Sequence, residues 1–127
     1  MRPLSAVVIH NNQNFADTLA NSLRQHFRFV STAMNYEAAF EQVQHHKTQL
    51  LVVNLESTTF DQLRKLKAEF PAMTIICTHR LADEQLWIDV LETGAADCCY
   101  ESDIRAIVSA AIRHAGPSTL NSSSAVA

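Results

Sequence analysis

The sequence predicts an α/β fold in which five βα units build one open parallel sheet, covered by helices on both faces as a three-layer sandwich. Two observations carry that expectation. Short apolar runs alternate five times with stretches in which apolar residues recur at helical spacing. Capping and turn residues mark the junctions, and connections between parallel strands are right-handed, which leaves little topological choice. Length sets the bound: 127 residues make one ordinary domain and are too few for two.

Each element has a local reason. Leu4 to Ile9 (LSAVVI) is the first strand-like run, and Phe15, Leu19, Leu23 and Phe27 follow at i, i+4 spacing as an amphipathic helix. Phe29 to Ala33 (FVSTA) is the second strand. Asn35 is a good N-cap for a helix carrying Ala38, Ala39, Phe40 and Val43. His45 and His46, at the end of that helix, are placed to cap carbonyls and to meet the negative end of the helix dipole. Leu50 to Val53 (LLVV) is a continuous apolar run, as a strand buried on both faces requires. Thr59 with Gln62 makes a capping box for a helix holding Phe60, Leu63, Leu66 and Phe70, which Pro71 stops. Met73 to Cys77 (MTIIC) is the fourth strand. Asp83 caps a helix of Leu86, Trp87, Val90 and Leu91 that ends at Gly94. Ala96 to Tyr100 (ADCCY) is a short fifth strand, and Ser102 or Asp103 caps a last helix bearing Ile104, Ile107, Val108, Ala111 and Ile112. From Gly116 onward the chain (GPSTLNSSSAVA) is polar and small without periodicity. Residues 1–115 are therefore expected as the domain, and 116–127 as a disordered tail or a linker to an output domain.

Composition removes several classes. With 47% hydrophobic and 18% charged residues, a sizeable core can be buried. No run approaches the roughly 18 apolar residues of a membrane span, and the first residues lack the apolar region of a signal peptide. Cys77, Cys98 and Cys99 are odd in number and lie inside strand-like runs. They read as buried, reduced thiols of a cytoplasmic protein, with Cys98 and Cys99 separated by the alternation of strand side chains. A net charge of −3 gives no electrostatic case for direct nucleic-acid binding. The only glycines are Gly94 and Gly116, so a Gly-rich phosphate loop is absent, and no nucleophile–base arrangement stands out. An enzyme is not expected.

In such a sheet the strand C-termini converge on one crevice. Here they carry Ile9-His10-Asn11-Asn12, Val53-Asn54, Cys77-Thr78-His79 and Cys99-Tyr100-Glu101-Ser102. His10 and His79 without a third ligand at fixed spacing do not make a metal site. They are expected as solvated or hydrogen-bonded rim residues, with neither metal nor cofactor.

Over residues 4 to 115 the chain resembles the receiver domains of two-component response regulators, the CheY-like members of the flavodoxin-like class. Gly94-Ala95-Ala96-Asp97 is similar to the family's Gly-Ala-Asp-Asp lead-in to the fifth strand, and Ile75-Ile76-Cys77-Thr78-His79 resembles the strand that delivers its switch threonine. The resemblance implies an acidic pair for Mg²⁺, an aspartate that takes phosphate from a histidine kinase, and a Thr and a Lys that contact the phosphoryl group. In this chain the acidic pair falls on His10 and Asn11, the acceptor on Asn54 and the lysine on Glu101; only Thr78 matches. Neutral ligands do not replace carboxylates around Mg²⁺, and Glu101 would repel a phosphoryl group. The loop from Asn54 to Phe60 (NLESTTF) is shorter than is usual and lacks the family's Pro and Gly, while the aromatic switch position falls on Cys98, with Tyr100 out of register.

The resemblance thus implies a pseudo-receiver: signal transduction without phosphorylation, through contacts with a protein partner, an output domain or a second copy. Those contacts fall on the face of the fourth helix, fifth strand and fifth helix, with Trp87, Tyr100 and Arg105 as anchors. Trp87 competes for the core with Leu86 and Val90. The alternative is a small-molecule sensor using the vacated crevice around His10, Asn11, Asn54 and Thr78. A third reading is phosphorylation of a displaced carboxylate, Glu56 or Asp61.

Overall fold

A computed structural model of the chain describes residues 5–80 and 83–115; Leu4 and the tail of residues 116–127 lie outside the described residues. Strands and helices alternate as β1 (Ser5–Ile9), α1 (Gln13–Leu23), β2 (Phe29–Ala33), α2 (Tyr36–His46), β3 (Leu50–Asn54), α3 (Phe60–Glu69), β4 (Thr74–His79), α4 (Glu84–Glu92), β5 (Asp97–Tyr100) and α5 (Ile104–Ala115). The sheet order is β2-β1-β3-β4-β5, and every pair is parallel. The three-layer α/β class expected from the sequence is the one observed.

Strand alternation divides the core in two. On one face Leu19 and Leu23 of α1 and Ile107 of α5 pack on Val8, Val52 and Ile76. On the other, Val43 of α2, Leu63 and Leu66 of α3 and Val90 of α4 pack on Ile9, Leu51, Val53 and Ile75. All of β1 and β3 is buried, as covering both faces demands, whereas the edge strand β2 is buried only at Val30 and Ala33. Cys98 joins the second cluster and Cys99 the first, so their thiols are separated as expected. All three cysteines are free and buried. Burial pushes the Cys98 thiol up to about 12 and Cys99 to about 11, and raises Cys77 as well. They are protonated, unreactive core residues.

The local stop and start signals act as the sequence implies. Asn35 accepts from the Ala38 N–H at 2.9 Å, and Thr59 and Gln62 form a reciprocal capping box. Asp83 accepts from the N–H groups of Gln85 and Leu86. Between the two candidates for the last cap, Asp103 is used, accepting from the Ala106 N–H at 3.0 Å.

Three boundaries and two side-chain placements differ from the sequence reading. Helix α1 ends at Leu23; Phe27 keeps the i+4 spacing only because the Leu23 carbonyl accepts from the N–H groups of both His26 and Phe27, which tucks the Phe27 ring into the core. Strand β3 reaches Asn54, and β4 runs on past Cys77, so Thr78 and His79 are strand residues. His45 and His46 are exposed, and neither bonds a carbonyl among the described residues; Lys47, at φ 47°, turns the chain out of α2. Leu91, one of the apolar residues that mark α4 in the sequence, is 47% exposed, and Val90 is the fully buried residue of that helix. Among the described residues no helix is long and apolar enough to cross a membrane.

Among the described residues the backbone dictates a glycine at Gly94. Its φ is +107°, and a Cβ there would lie 2.7 Å from Lys67 Cγ, in a side chain whose ammonium is tied to the Met73 carbonyl at 2.8 Å. Gly94→Ala is expected to destabilise the domain by about 1–3 kcal/mol, read as a lower urea midpoint; an unchanged midpoint would refute the constraint.

Candidate functional site

The chain leaves β1 for the sheet edge at β2 and returns past it to β3, so the order reverses between β1 and β3. At such a switch point strand C-termini splay and leave a crevice. His10 follows β1, Asn54 ends β3, Thr78 lies beside Asn54 in register on β4, and Glu101 follows β5. The residues predicted for the crevice are therefore brought together.

Their polar groups are satisfied by one another. The Asn12 N–H donates to His10 Nδ1 at 2.9 Å, so the imidazole proton sits on Nε2, which donates to Glu101 Oε1 at 3.0 Å. Asn54 Nδ2 donates to the same carboxylate oxygen at 2.6 Å. Nδ2 and the His10 Nε2 are 3.2 Å apart, but as two donors to one acceptor they do not bond each other. Asn54 Oδ1 accepts from the Glu56 N–H at 2.8 Å, and Ser57 N–H donates to the Asn54 carbonyl at 3.0 Å. That side-chain-supported turn shapes the loop without Pro or Gly. The expectation for Glu101 changes: its carboxylate is the acceptor that two buried donors share.

His10 and His79, expected on the rim, are both buried and both hydrogen-bonded. Thr78 is 1% exposed, and its hydroxyl has no hydrogen-bond partner among the described residues. Asn11 is exposed at the mouth. An open polar cavity of about 490 Å³ is lined by His10, Asn11, Glu56, Arg80 and Glu101 among others, with Arg80 and Glu56 ion-paired across its rim. Asp61 pairs with Arg64 on the exposed surface of α3, away from the crevice lining. Among the described residues no group of three or more His, Cys, Asp or Glu side chains is arranged to hold a metal ion.

A second cluster adjoins the first. The Trp87 indole N–H donates to His79 Nε2, and the Tyr100 ring lies 5.5 Å from His79 and 5.8 Å from Trp87. Trp87 is accordingly half-buried, with one part against the core and one on the α4–β5–α5 face. Tyr100, Ile88 and Leu91 are exposed on α4 and β5, and Arg105 is exposed on α5. Ile88 is not marked by the sequence pattern; α4 carries apolar residues at Leu86, Trp87, Ile88, Val90 and Leu91, and periodicity alone does not say which of them face out. Burial pushes the His79 pKa below the ordinary imidazole value, with Asp83 pulling weakly the other way, so His79 is a neutral acceptor.

The same arrangement of strands and helices recurs in solved structures. A response regulator from Burkholderia pseudomallei, determined with a phosphorylated aspartic acid, a calcium ion and citrate, superposes with a TM-score of 0.75 at 22% identity over 84% of this chain and 65% of that one. The signal receiver domain of a LuxO repressor protein from Vibrio parahaemolyticus gives 0.79 at 14% identity over 90% of each chain. A response regulator from Thermotoga maritima gives 0.78 at 19% identity over 88% and 97%. The fold is that of a response-regulator receiver domain. This chain spans just under two thirds of the Burkholderia protein, and identities this low establish the fold alone. No family model and no curated protein sequence matches the chain.

Two outcomes follow from the receiver-fold crevice. Asn54→Asp sets a second carboxylate against Glu101, so one of the pair must hold a proton and its folded pKa rises above the unfolded value. The deficit against the parent is then small near pH 4 and grows to about 2 kcal/mol near pH 7, measurable by urea unfolding across that range; equal stabilities at neutral pH would contradict the contact. His79, with its folded pKa depressed, contributes stability that is complete above about pH 6.5 and lost as acidification protonates it. Emission from Trp87, the only tryptophan, should change in that window, and His79→Gln should abolish the change.

Proposed function

We propose that this domain is a cytoplasmic regulatory module of two-component type that transmits through protein contacts, without phosphoryl transfer and without enzymatic activity of its own. The observation that carries the reading is the 2.6 Å hydrogen bond from Asn54 Nδ2 to Glu101 Oε1. In the receiver pattern that this chain resembles, those positions hold the acceptor aspartate and the lysine that clasps its phosphoryl group. Here a neutral amide, which forms no acyl phosphate, is already clasped by a carboxylate. Arg80, the cation lining the cavity, is paired with Glu56. Among the described residues lining the cavity, an incoming phosphoryl dianion would meet Glu101 with no unpaired cation to offset it. Asn11 and the neutral His10 supply no charge for Mg²⁺ either.

The surface supports the transmitting half of the proposal. Trp87, Ile88, Leu91 and Tyr100 form an apolar patch on the α4–β5–α5 face with Arg105 nearby, the residue types that anchor interfaces. A partner protein, an output domain or a second copy would dock there. Buried reduced thiols fit a reducing compartment. The net charge of −3 argues against nucleic-acid binding by this domain.

One observation favours a second reading, a small-molecule sensor: the open cavity of about 490 Å³ adjoining the crevice residues. Its ligand would act by loosening the Glu101 contacts.

Incubation with acetyl phosphate and millimolar Mg²⁺ is expected to leave the intact mass and the melting temperature unchanged. An added phosphoryl mass labile to alkali, or a clear rise in melting temperature, would overturn the proposal. Alanine at Trp87, Tyr100 or Arg105 is expected to weaken self-association or partner capture by roughly tenfold or more while circular dichroism is retained. Silent face variants, together with crevice variants that abolish signalling, would instead favour the sensor.

A further inference from the structure

At the end of the sheet opposite the crevice, the starts of β1 and β2 and the ends of α1 and α2 surround a second cleft of about 950 Å³. Among the described residues its wall carries Arg24, Arg28, His45, His46 and Lys47 and no carboxylate, in a chain whose acidic residues outnumber Lys and Arg by 13 to 10. A local positive potential therefore runs against the overall charge.

Not every cation there serves the fold. Arg24 does: its guanidinium donates to Asn21 Oδ1 at 2.6 Å and to the Val30 carbonyl at 3.0 Å. Among the described residues Arg28 and Lys47 form no ion pair. Basic groups at a helix C-terminus are favoured by the dipole, which accounts for His45 and His46. It does not account for Arg28, which lies between α1 and β2, nor for Phe29, which leads the edge strand with 55% of its surface exposed. The Arg28 guanidinium sits over the Phe29 ring, 5.8 Å from its centroid, pairing a flat apolar surface with a cation. Lys47 occupies a left-handed turn that glycine would close at lower cost, and so sets an ammonium group at the cleft.

We propose that this cleft binds a small organic anion with a planar apolar part, whose ring lies on Phe29 and whose charged group is held by Arg28 and Lys47. The volume lies within the roughly 300–1,000 Å³ of small-molecule sites, and a concave wall suits a compact ligand better than an extended polymer. This site is separate from the crevice and from the α4–β5–α5 face, so its fate does not depend on theirs.

The test uses naphthalenesulfonate as the probe and neutral naphthol as its comparator, titrated into the full chain at neutral pH with amide NMR and calorimetry. The sulfonate is expected to bind, to weaken with added salt, and to shift resonances of residues 24–31 and 45–49. Phe29→Ala and Lys47→Gly should each weaken binding by roughly tenfold, as loss of a stacking or charged contact does. Glycine keeps the turn at position 47, so that variant folds. Arg64→Gln, on α3, should bind like the parent. Absence of sulfonate binding, equal binding of naphthol, or shifts centred elsewhere would overturn the proposal.

Discussion

A carboxylate held against buried groups must find donors, and in this domain that requirement organises the ends of three strands. Glu101 Oε1 accepts from Asn54 Nδ2 and from His10 Nε2, and neither donor is free to turn away. The imidazole is fixed at its other nitrogen by the Asn12 N–H, and the amide by the Glu56 N–H. Asn12 also caps α1 through its side chain, which accepts from the Phe15 N–H at 3.1 Å. One carboxylate thus ties the exits of β1, β3 and β5 to the start of α1 and to the turn before α3. Removing any member leaves a buried donor or acceptor unmet, at a cost of about 1–3 kcal/mol.

The crevice and the outer face meet at two pairs of consecutive residues. Tyr100 precedes Glu101, and Thr78 precedes His79. Strand alternation sends neighbours to opposite sides. On β4 Thr78 is buried beside Asn54, while His79 accepts from the Trp87 indole. At the end of β5 the Glu101 carboxylate meets Asn54, while Tyr100 meets His79 and Trp87. A displacement of either strand end would therefore be felt at both sites. The Thr78 hydroxyl, without a hydrogen-bond partner among the described residues, lies at this junction, where a local gain is available to any arrangement that supplies it an acceptor.

What the sequence makes legible is what is decided locally or by topology. The caps at Asn35, Thr59 and Asp83 need only neighbours a few positions away, and each is used as written. The convergence of His10, Asn54, Thr78 and Glu101 follows from strand order alone. What stays hidden depends on rotamers and on contacts across the chain. Phe27 keeps helical spacing while lying outside the helix, because the turn after Leu23 mimics one more step of the same face. Leu91 stands four residues after Trp87, at helical spacing, and only packing shows that it faces outward. Beside a phosphoryl group Glu101 is repulsive; beside this amide and imidazole it is an acceptor with two donors. The basic cleft draws on residues more than twenty positions apart, none forming a motif.

The changes from the receiver pattern make physical sense only as a set. An aspartate opposite Glu101 would place two carboxylates within hydrogen-bonding distance, and one would have to be neutralised. An asparagine opposite a lysine would leave an ammonium beside a group with no charge to offer it. Replacing the acceptor with a donor amide and the cation with a carboxylate inverts both partners, and the contact becomes favourable again. His10 completes the inversion, because its tautomer, set by Asn12, adds a second donor where a metal-binding carboxylate would have added charge. The resulting crevice carries little of the repulsion that clustered carboxylates bring when no cation is bound. Such a network holds the ends of β1, β3 and β5 together without any bound cation.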